Sequence, residues 1–243
     1  MISKNQKKYI RSLHHKKFRD KLGLFIVEGL RSTSTAIDAK GVIEQIIFTQ
    51  RFKQKHTYFF EKAGTIPQSL ASEHELNQLC PSTSPSGILA ICKQIKFGLI
   101  NKRKNLVYLD KISDPGNIGT ILRTAAWFGV DQVGLSPGSA DLFNPKVVRG
   151  AMGAHFNLTW AGELSVDQLD GYSILGADQK GKPIEHLEKP TGKWALIIGS
   201  EAHGISKELE NKLDAKITIP RIGLGESLNA GVAAGILLNQ LVQ

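Results

Sequence analysis

Several routes to stability are scarce in this chain. Two cysteines occur in 243 residues, Cys80 and Cys92. They lie twelve positions apart, with no second pair and no histidine cluster at metal-ligand spacing, so neither a disulfide framework nor a metal site is expected. Both read as reduced thiols in a cytoplasmic protein. The longest apolar run, near 231–238, is far short of the roughly 20 residues a membrane span needs. The first 21 residues contain no apolar segment of signal-peptide length. GxxxxGK[ST] is missing, which argues against a P-loop ATPase; GxGxxG is missing too, which leaves a nucleotide-binding oxidoreductase without support. Acidic residues are outnumbered: 22 Asp and Glu face 31 Lys and Arg, a formal net charge of +9. That imbalance suits a polyanionic partner, nucleic acid being the commonest.

What is present is an ordinary globular composition, 41% hydrophobic, long enough for one large domain or two small ones. Basic residues crowd the N-terminus. Lys7, Lys8, Arg11, Lys16, Lys17 and Arg19 are candidate RNA contacts on a basic helix whose thin apolar edge is Ile10 and Leu13. A solvated terminal helix is the plainer alternative. Residues 24–92 alternate short apolar segments ("LFIVEG", "IEQIIFT", "YFFEKA", "GILAICK") with helical patterns. Residues 1–95 are therefore expected to form a basic extension and a small α/β domain, with 96–105 a linker and 106–243 a second domain.

From Leu106 the pattern is strand, loop, helix. Candidate strands are 106–110, 132–136, 172–177, 194–200 and 217–220; candidate helices fall near 118–129, 144–152, 206–213 and 228–241. Continuous apolar runs suit parallel strands buried on both faces. Ligands bind at the carboxyl ends of such strands, so "DKISDPGNIGT", "GSEAHGIS" and "PRIGLGESLN" are where function is sought. Asn117 and Ser227 each suit a helix N-cap. Ser206 is the better cap for the helix near 206–213, which leaves Glu201 for function. Gly231 and Gly235 weaken a helix by roughly 1 kcal/mol each against Ala, so the last helix is expected to pass through a tight space.

Three segments then match one family in order and spacing. "DPGNIGTILRTAAWFG", "IIGSEAHGIS" and "IPRIGLGESLNAGVAAGILL" resemble the SpoU family of RNA ribose 2′-O-methyltransferases, within the SPOUT superfamily. "NPKVVRGAMGAHFNL" resembles the family's intervening segment; "FIVEGLRSTSTAI" and "SPSGILAICK" resemble its substrate-binding domain. The resemblance implies an α/β fold: a C-terminal parallel-sheet domain with a trefoil knot, preceded by a small α/β domain that grips RNA. It implies S-adenosylmethionine as methyl donor, no metal, and a homodimer. It places Arg123, Asn117, Glu201, Ser227 and Asn229 in the catalytic machinery, and the backbone around Gly199, Ile219 and Leu228 at the cofactor. Departures from the family pattern include Ser200, Ala202, Ala151, Arg221, and Ala230–Gly231. Ribosomal RNA is the favoured substrate, with transfer RNA open. The competing readings are an RNA-binding protein that kept the fold without the activity and a methyltransferase acting on a base nitrogen.

Overall fold

The computed structural model describes residues 2–243. In chain order the elements are α1 (Lys4–Ser12), α2 (Lys16–Leu22), β1 (Leu24–Glu28), α3 (Leu30–Asp38), β2 (Ile43–Thr49), α4 (Gln50–Lys55), α5 (Thr57–Ala63), β3 (Gln68–Ala71), α6 (Glu73–Leu79), β4 (Ile88–Lys93), β5 (Leu106–Asp110), α7 (Pro115–Trp127), β6 (Gln132–Leu135), α8 (Pro145–Ala151), β7 (Thr159–Glu163), β8 (Ser173–Pro183), β9 (Trp194–Gly199), α9 (Lys207–Glu210), β10 (Ala215–Thr218) and α10 (Ala230–Val242). They fall into two compact units. One is the chain up to Ile95 together with Asp141–Phe156; the other is Lys96–Ala140 together with Asn157–Gln243.

The first unit is built on a sheet of order β1-β4-β2-β3, with β4 antiparallel to both neighbours and β2 parallel to β3. Side chains alternate across it with the strand period of two. Phe25, Val27, Ile46, Phe48 and Ala90 meet Ala36, Phe52 and Phe59 on one face. Leu24, Ile26, Ile47, Leu89 and Ile91 meet Ile10, Leu13, Leu76 and Leu79 on the other. The segment "YFFEKA", grouped by apolarity with the strands, lies in α5, because Phe59 and Ala63, four apart, share its buried face. Burial pushes the Cys80 and Cys92 thiols well up, so both stay protonated.

The N-terminal basic segment is two helices, broken near Leu13–His15. Arg19 does not face solvent: it is 2% exposed and donates to the carbonyls of Leu13 (2.9 Å) and His14 (2.8 Å), while pairing with Asp141. A buried guanidinium needs polar partners; these bonds hold its two terminal nitrogens, while its Nε has none among the described residues. Arg19 is thereby removed from the RNA contacts expected of it. Its partner introduces the segment that sequence order would give to the second domain. Phe143 lies 4.9 Å, ring to ring, from Phe25, and Val148 joins the same core. Residues 141–156, α8 included, therefore pack with the first unit.

The second unit is a six-stranded sheet, parallel throughout, of order β10-β8-β9-β5-β6-β7. Five strands were legible; β7, which contains Gly162 and ends on Glu163, has no apolar run and was not. β5 is buried along its length and β9 up to Ile198, as parallel strands covered on both faces should be. Strand β10 lies two residues earlier than expected, leaving Ile219 and Pro220 in the following loop, and α9 is a single turn rather than a helix to 213. Because β5 pairs with β9 in the register Asp110↔Gly199, the loops that leave their carboxyl ends emerge side by side.

Helix α10 packs along α7. A Cβ on Gly231 would sit 2.8 Å from Thr120 Cγ2 and 2.9 Å from Thr120 Cβ, whereas one on Gly235 would lie 3.5 Å from Thr124 Cγ2, an ordinary contact. The close approach therefore requires glycine at 231 alone. Gly231→Ala should destabilise by about 1–3 kcal/mol through overpacking. Gly235→Ala should stabilise by up to about 1 kcal/mol. Denaturant unfolding of the two variants reads both signs.

His155 is fully buried, its Nε2 2.8 Å from the Leu142 carbonyl, and burial lowers its pKa to about 4. The unfolded chain takes up that proton near pH 6.5, so the unfolded state binds more protons below it. Stability is complete above pH 6.5 and falls as the pH drops toward 4, by up to about 1.4 kcal/mol per pH unit. Unfolding midpoints across pH 4–7.5 should show this slope, and His155→Gln should flatten it.

Candidate active site

The paired ends of β5 and β9 carry the first two parts of the site. Asp110, 1% exposed, closes β5, and its Oδ2 accepts from the Ser206 N–H at 2.7 Å. This fixes the far end of loop 200–206. The near end is a tight turn in which Ser200 and Gly204 exchange N–H···O bonds of 3.0 and 2.8 Å. A Cβ on Gly199 would fall 2.3 Å from the Gly204 carbonyl carbon, so the turn closes only over glycine. Glu201 sits at its tip.

Helix α7 starts earlier than expected, and on a different cap. Asp114, not Asn117, is the N-cap: its Oδ1 accepts from the Asn117 N–H at 2.8 Å, and Pro115 takes the first helical position. Asn117 is the third residue of the helix, 8% exposed, and its amide is free of capping duty. At α10 the cap is Asn229 rather than Ser227. Asn229 Oδ1 accepts from the N–H groups of Gly231 (3.0 Å) and Val232 (3.3 Å), while Ser227 stands exposed in the loop.

These two asparagines and Glu201 form one directed chain. Asn229 Oδ1 is committed to the helix, so its Nδ2 is turned outward and donates to Asn117 Oδ1 at 2.6 Å. Asn117 is left with its Nδ2, which donates to Glu201 Oε1. An amide offers a donor and an acceptor on one rigid plane, and an ionised carboxylate only accepts, so the polarity runs one way from α10 to Glu201. The loops after β5, β9 and β10 are joined by it.

Among the other residues singled out, Gly199 and Ile219 are half-buried, and Leu228 is 52% exposed. Arg123 is exposed on α7, six residues beyond Asn117 and so about 120° away around the helix. Residues 221–228 make no backbone–backbone hydrogen bond among the described residues. Of the N-terminal cations, Lys8, Arg11 and Lys17 are exposed, Lys16 is exposed and pairs with Asp20 at 2.7 Å, and Lys7 pairs with Glu75 at 2.7 Å. Asp110 and Asp114 were missed. Their signals were a carboxylate closing a buried strand and an Asp-Pro opening a helix. Among the described residues, no group of His, Cys, Asp or Glu is arranged to hold a metal ion, and no helix is long and apolar enough to cross a membrane.

The directed chain makes a sharp demand at 117. Asn117→Asp would set a second carboxylate against Glu201 and remove the donor. It should cost about 1–3 kcal/mol at pH 7 and recover as acid protonates the pair. Unfolding midpoints of variant and parent at pH 7 and pH 4.5 test this; an unchanged difference would refute it.

Comparison with known proteins places this architecture. The SpoU rRNA methylase family model matches residues 104–239, and the MRM3-like substrate binding domain model matches residues 4–90. The chain is similar to the Bacillus subtilis 23S rRNA (guanosine(2553)-2′-O)-methyltransferase RlmP, 34% identical across 98% of this chain and 97% of that protein. It is similar to mitochondrial rRNA methyltransferase 3 of Xenopus laevis, 28% identical across 92% of this chain and 70% of that protein. Among solved structures, a TrmH-family chain from Porphyromonas gingivalis superposes with TM-score 0.86 at 31% identity, over 99% of this chain and 98% of the other. An AdoMet-bound rRNA methyltransferase from Sinorhizobium meliloti superposes with TM-score 0.84 at 26% identity, over 99% and 96%. With the family model spanning more than half its length and a relative of this likeness over nearly all of it, the chain belongs to the SpoU rRNA methylase family.

Proposed function

We propose that this protein transfers a methyl group from S-adenosylmethionine to a ribose 2′-hydroxyl of structured RNA, with ribosomal RNA as the substrate class. The observation that carries the reading is the Asn229–Asn117–Glu201 chain, which joins the three loops where the family's motifs lie. A relative named as a 23S rRNA 2′-O-methyltransferase, similar over almost the full chain, supports the choice of ribose and of ribosomal RNA.

The residues present fit the cofactor. Loop 219–229 leaves the backbone groups of 221–228 without backbone partners and exposes Leu228, so it offers hydrogen-bonding edges and an apolar surface to a purine. Backbone around Gly199, Ile219 and Leu228 would hold the adenine and ribose, with Ser227 ordering the loop. Bound S-adenosylmethionine supplies a methyl group already activated as a sulfonium substituent, so the remaining barrier lies with the hydroxyl, a weak nucleophile while protonated. Arg123 supplies a guanidinium, the side chain that proteins use as a permanent cation. It therefore acts as a fixed cation that stabilises the developing alkoxide and holds the adjacent phosphate, while the hydroxyl proton passes to water. Glu201, oriented by Asn117, positions the ribose.

Exposed Lys8, Arg11, Lys16 and Lys17 would grip RNA phosphates, with Lys7 adding to the same field. The exposed Val232 and Ile236 on α10 and Trp127 on α7 suit a homodimer. The trefoil threading of the C-terminal segment belongs to this same reading and fits the glycine-tight passage of α10 against α7.

Purified protein, tritiated S-adenosylmethionine and 23S rRNA should give label at one ribose. Arg123→Ala should abolish it, and Arg123→Lys should lose at least tenfold, since a lysine cannot reproduce a planar two-pronged contact. Full activity in the lysine variant would refute the guanidinium role. Absence of both label and cofactor binding would overturn the enzyme.

A further inference from the structure

Beside the relay lies a second feature, most of whose lining, Glu201 excepted, the methyl-transfer chemistry does not use. A depression of about 540 Å³ opens between the loops leaving β5 and β9, lined by Lys111, Ser113, Ser200, Glu201, His203 and Lys207 among others. Lys111, His203 and Lys207 are exposed, and no carboxylate lies within ion-pair distance of any of them among the described residues. Lysines at 104, 212 and 216, elsewhere in the same unit, are each paired with an acid. Glu201 also lines the depression, but one of its oxygens is occupied by Asn117.

Two details show the depression is preorganised. Ser200 Oγ accepts from the His203 N–H at 3.2 Å, which leaves the hydroxyl proton to donate outward. Lys111 has φ +53°, a left-handed conformation that costs a long side chain energy and that glycine adopts freely. Its backbone is pinned there by the Lys111 N–H bond to Ser136 Oγ at 2.8 Å. A turn that glycine would satisfy at less strain carries a lysine instead, and strain of this kind gathers at functional positions.

We propose that this depression is an oxyanion site for a backbone phosphate of the RNA substrate, held by Lys111 and Lys207 with Ser113, Ser200 and His203 as hydrogen-bond donors. The proposal rests on the methyltransferase reading above and adds to it a contact that sets the register of the strand beside Glu201. Phosphate contacts of this kind position a nucleic acid without reading its sequence.

The test uses Lys111→Gly and Lys207→Gln, singly and together. Glycine relieves the backbone strain, so the Lys111→Gly unfolding midpoint should not fall, and any functional loss is not a folding defect. Binding of 23S rRNA, measured without cofactor over a series of salt concentrations, should weaken several-fold. The slope of log K against log salt should shrink by about 1 per lysine removed. The KM for RNA should rise while the Kd for S-adenosylmethionine stays put. Unchanged RNA binding and slope in the double variant would overturn the site. A weakened cofactor Kd with unchanged RNA slope would also overturn it, assigning the depression to the cofactor's carboxylate. If the parent protein labels RNA and the variants label it equally well, the site fails while the enzyme stands; if the parent neither labels RNA nor binds cofactor, the enzyme reading itself has failed.

Discussion

The geometry of the second unit depends on one commitment: the Asn229 carbonyl oxygen caps α10. From it the rest follows by the bookkeeping of donors and acceptors. The amide nitrogen must face away, Asn117 must answer with its oxygen, and its own nitrogen must find an acceptor, which is Glu201. Replace either asparagine with an aliphatic residue and the series has a gap; replace one with a carboxylate and two acceptors meet. Three loops that leave three separate strands are thus held in one arrangement by a capping bond at a helix start. This is also why the relay sits at strand ends, where backbone donors of new helices are unsatisfied and side chains are recruited to meet them.

How much of this was readable beforehand depended on whether a residue's role is local. The buried runs "LVYLD" and "WALIIG" announced parallel central strands, since burial on both faces leaves no alternation, and the structure agrees. β7 escaped because "TWAGE" has neither run nor period. Asn117, Glu201 and Asn229 are candidates from sequence that the structure brings into one hydrogen-bonded chain, but the caps expected at 117 and 227 fall instead on Asp114 and Asn229. A cap reads the same from sequence whether it is the residue before a proline or two beyond it. Arg19 was misread for a deeper reason. Its neighbours in sequence are surface lysines, and its partner Asp141 is 122 positions away. Nothing within a helical window distinguishes a buried arginine from an exposed one.

Glycine supplied a finer lesson. Gly231 and Gly235 look equivalent in sequence, both small and both in a helix, yet the space beside them differs by enough to separate necessity from tolerance. Gly199 belongs with the first kind: its missing side chain lets Ser200 and Gly204 close the turn that presents Glu201.

The Arg19–Asp141 pair carries a consequence for the order in which the protein is made. The first unit is discontinuous: its core waits for Phe143 and Val148, and its buried guanidinium waits for Asp141. A ribosome that has released residues 1–95 has released every strand of that sheet but not the carboxylate that neutralises the buried Arg19 of α2. The nascent N-terminal unit is therefore an unfinished body while β5, α7 and β6 are being synthesised. Completion of the first unit is thus delayed until part of the second has been made, although each has its own sheet and its own core.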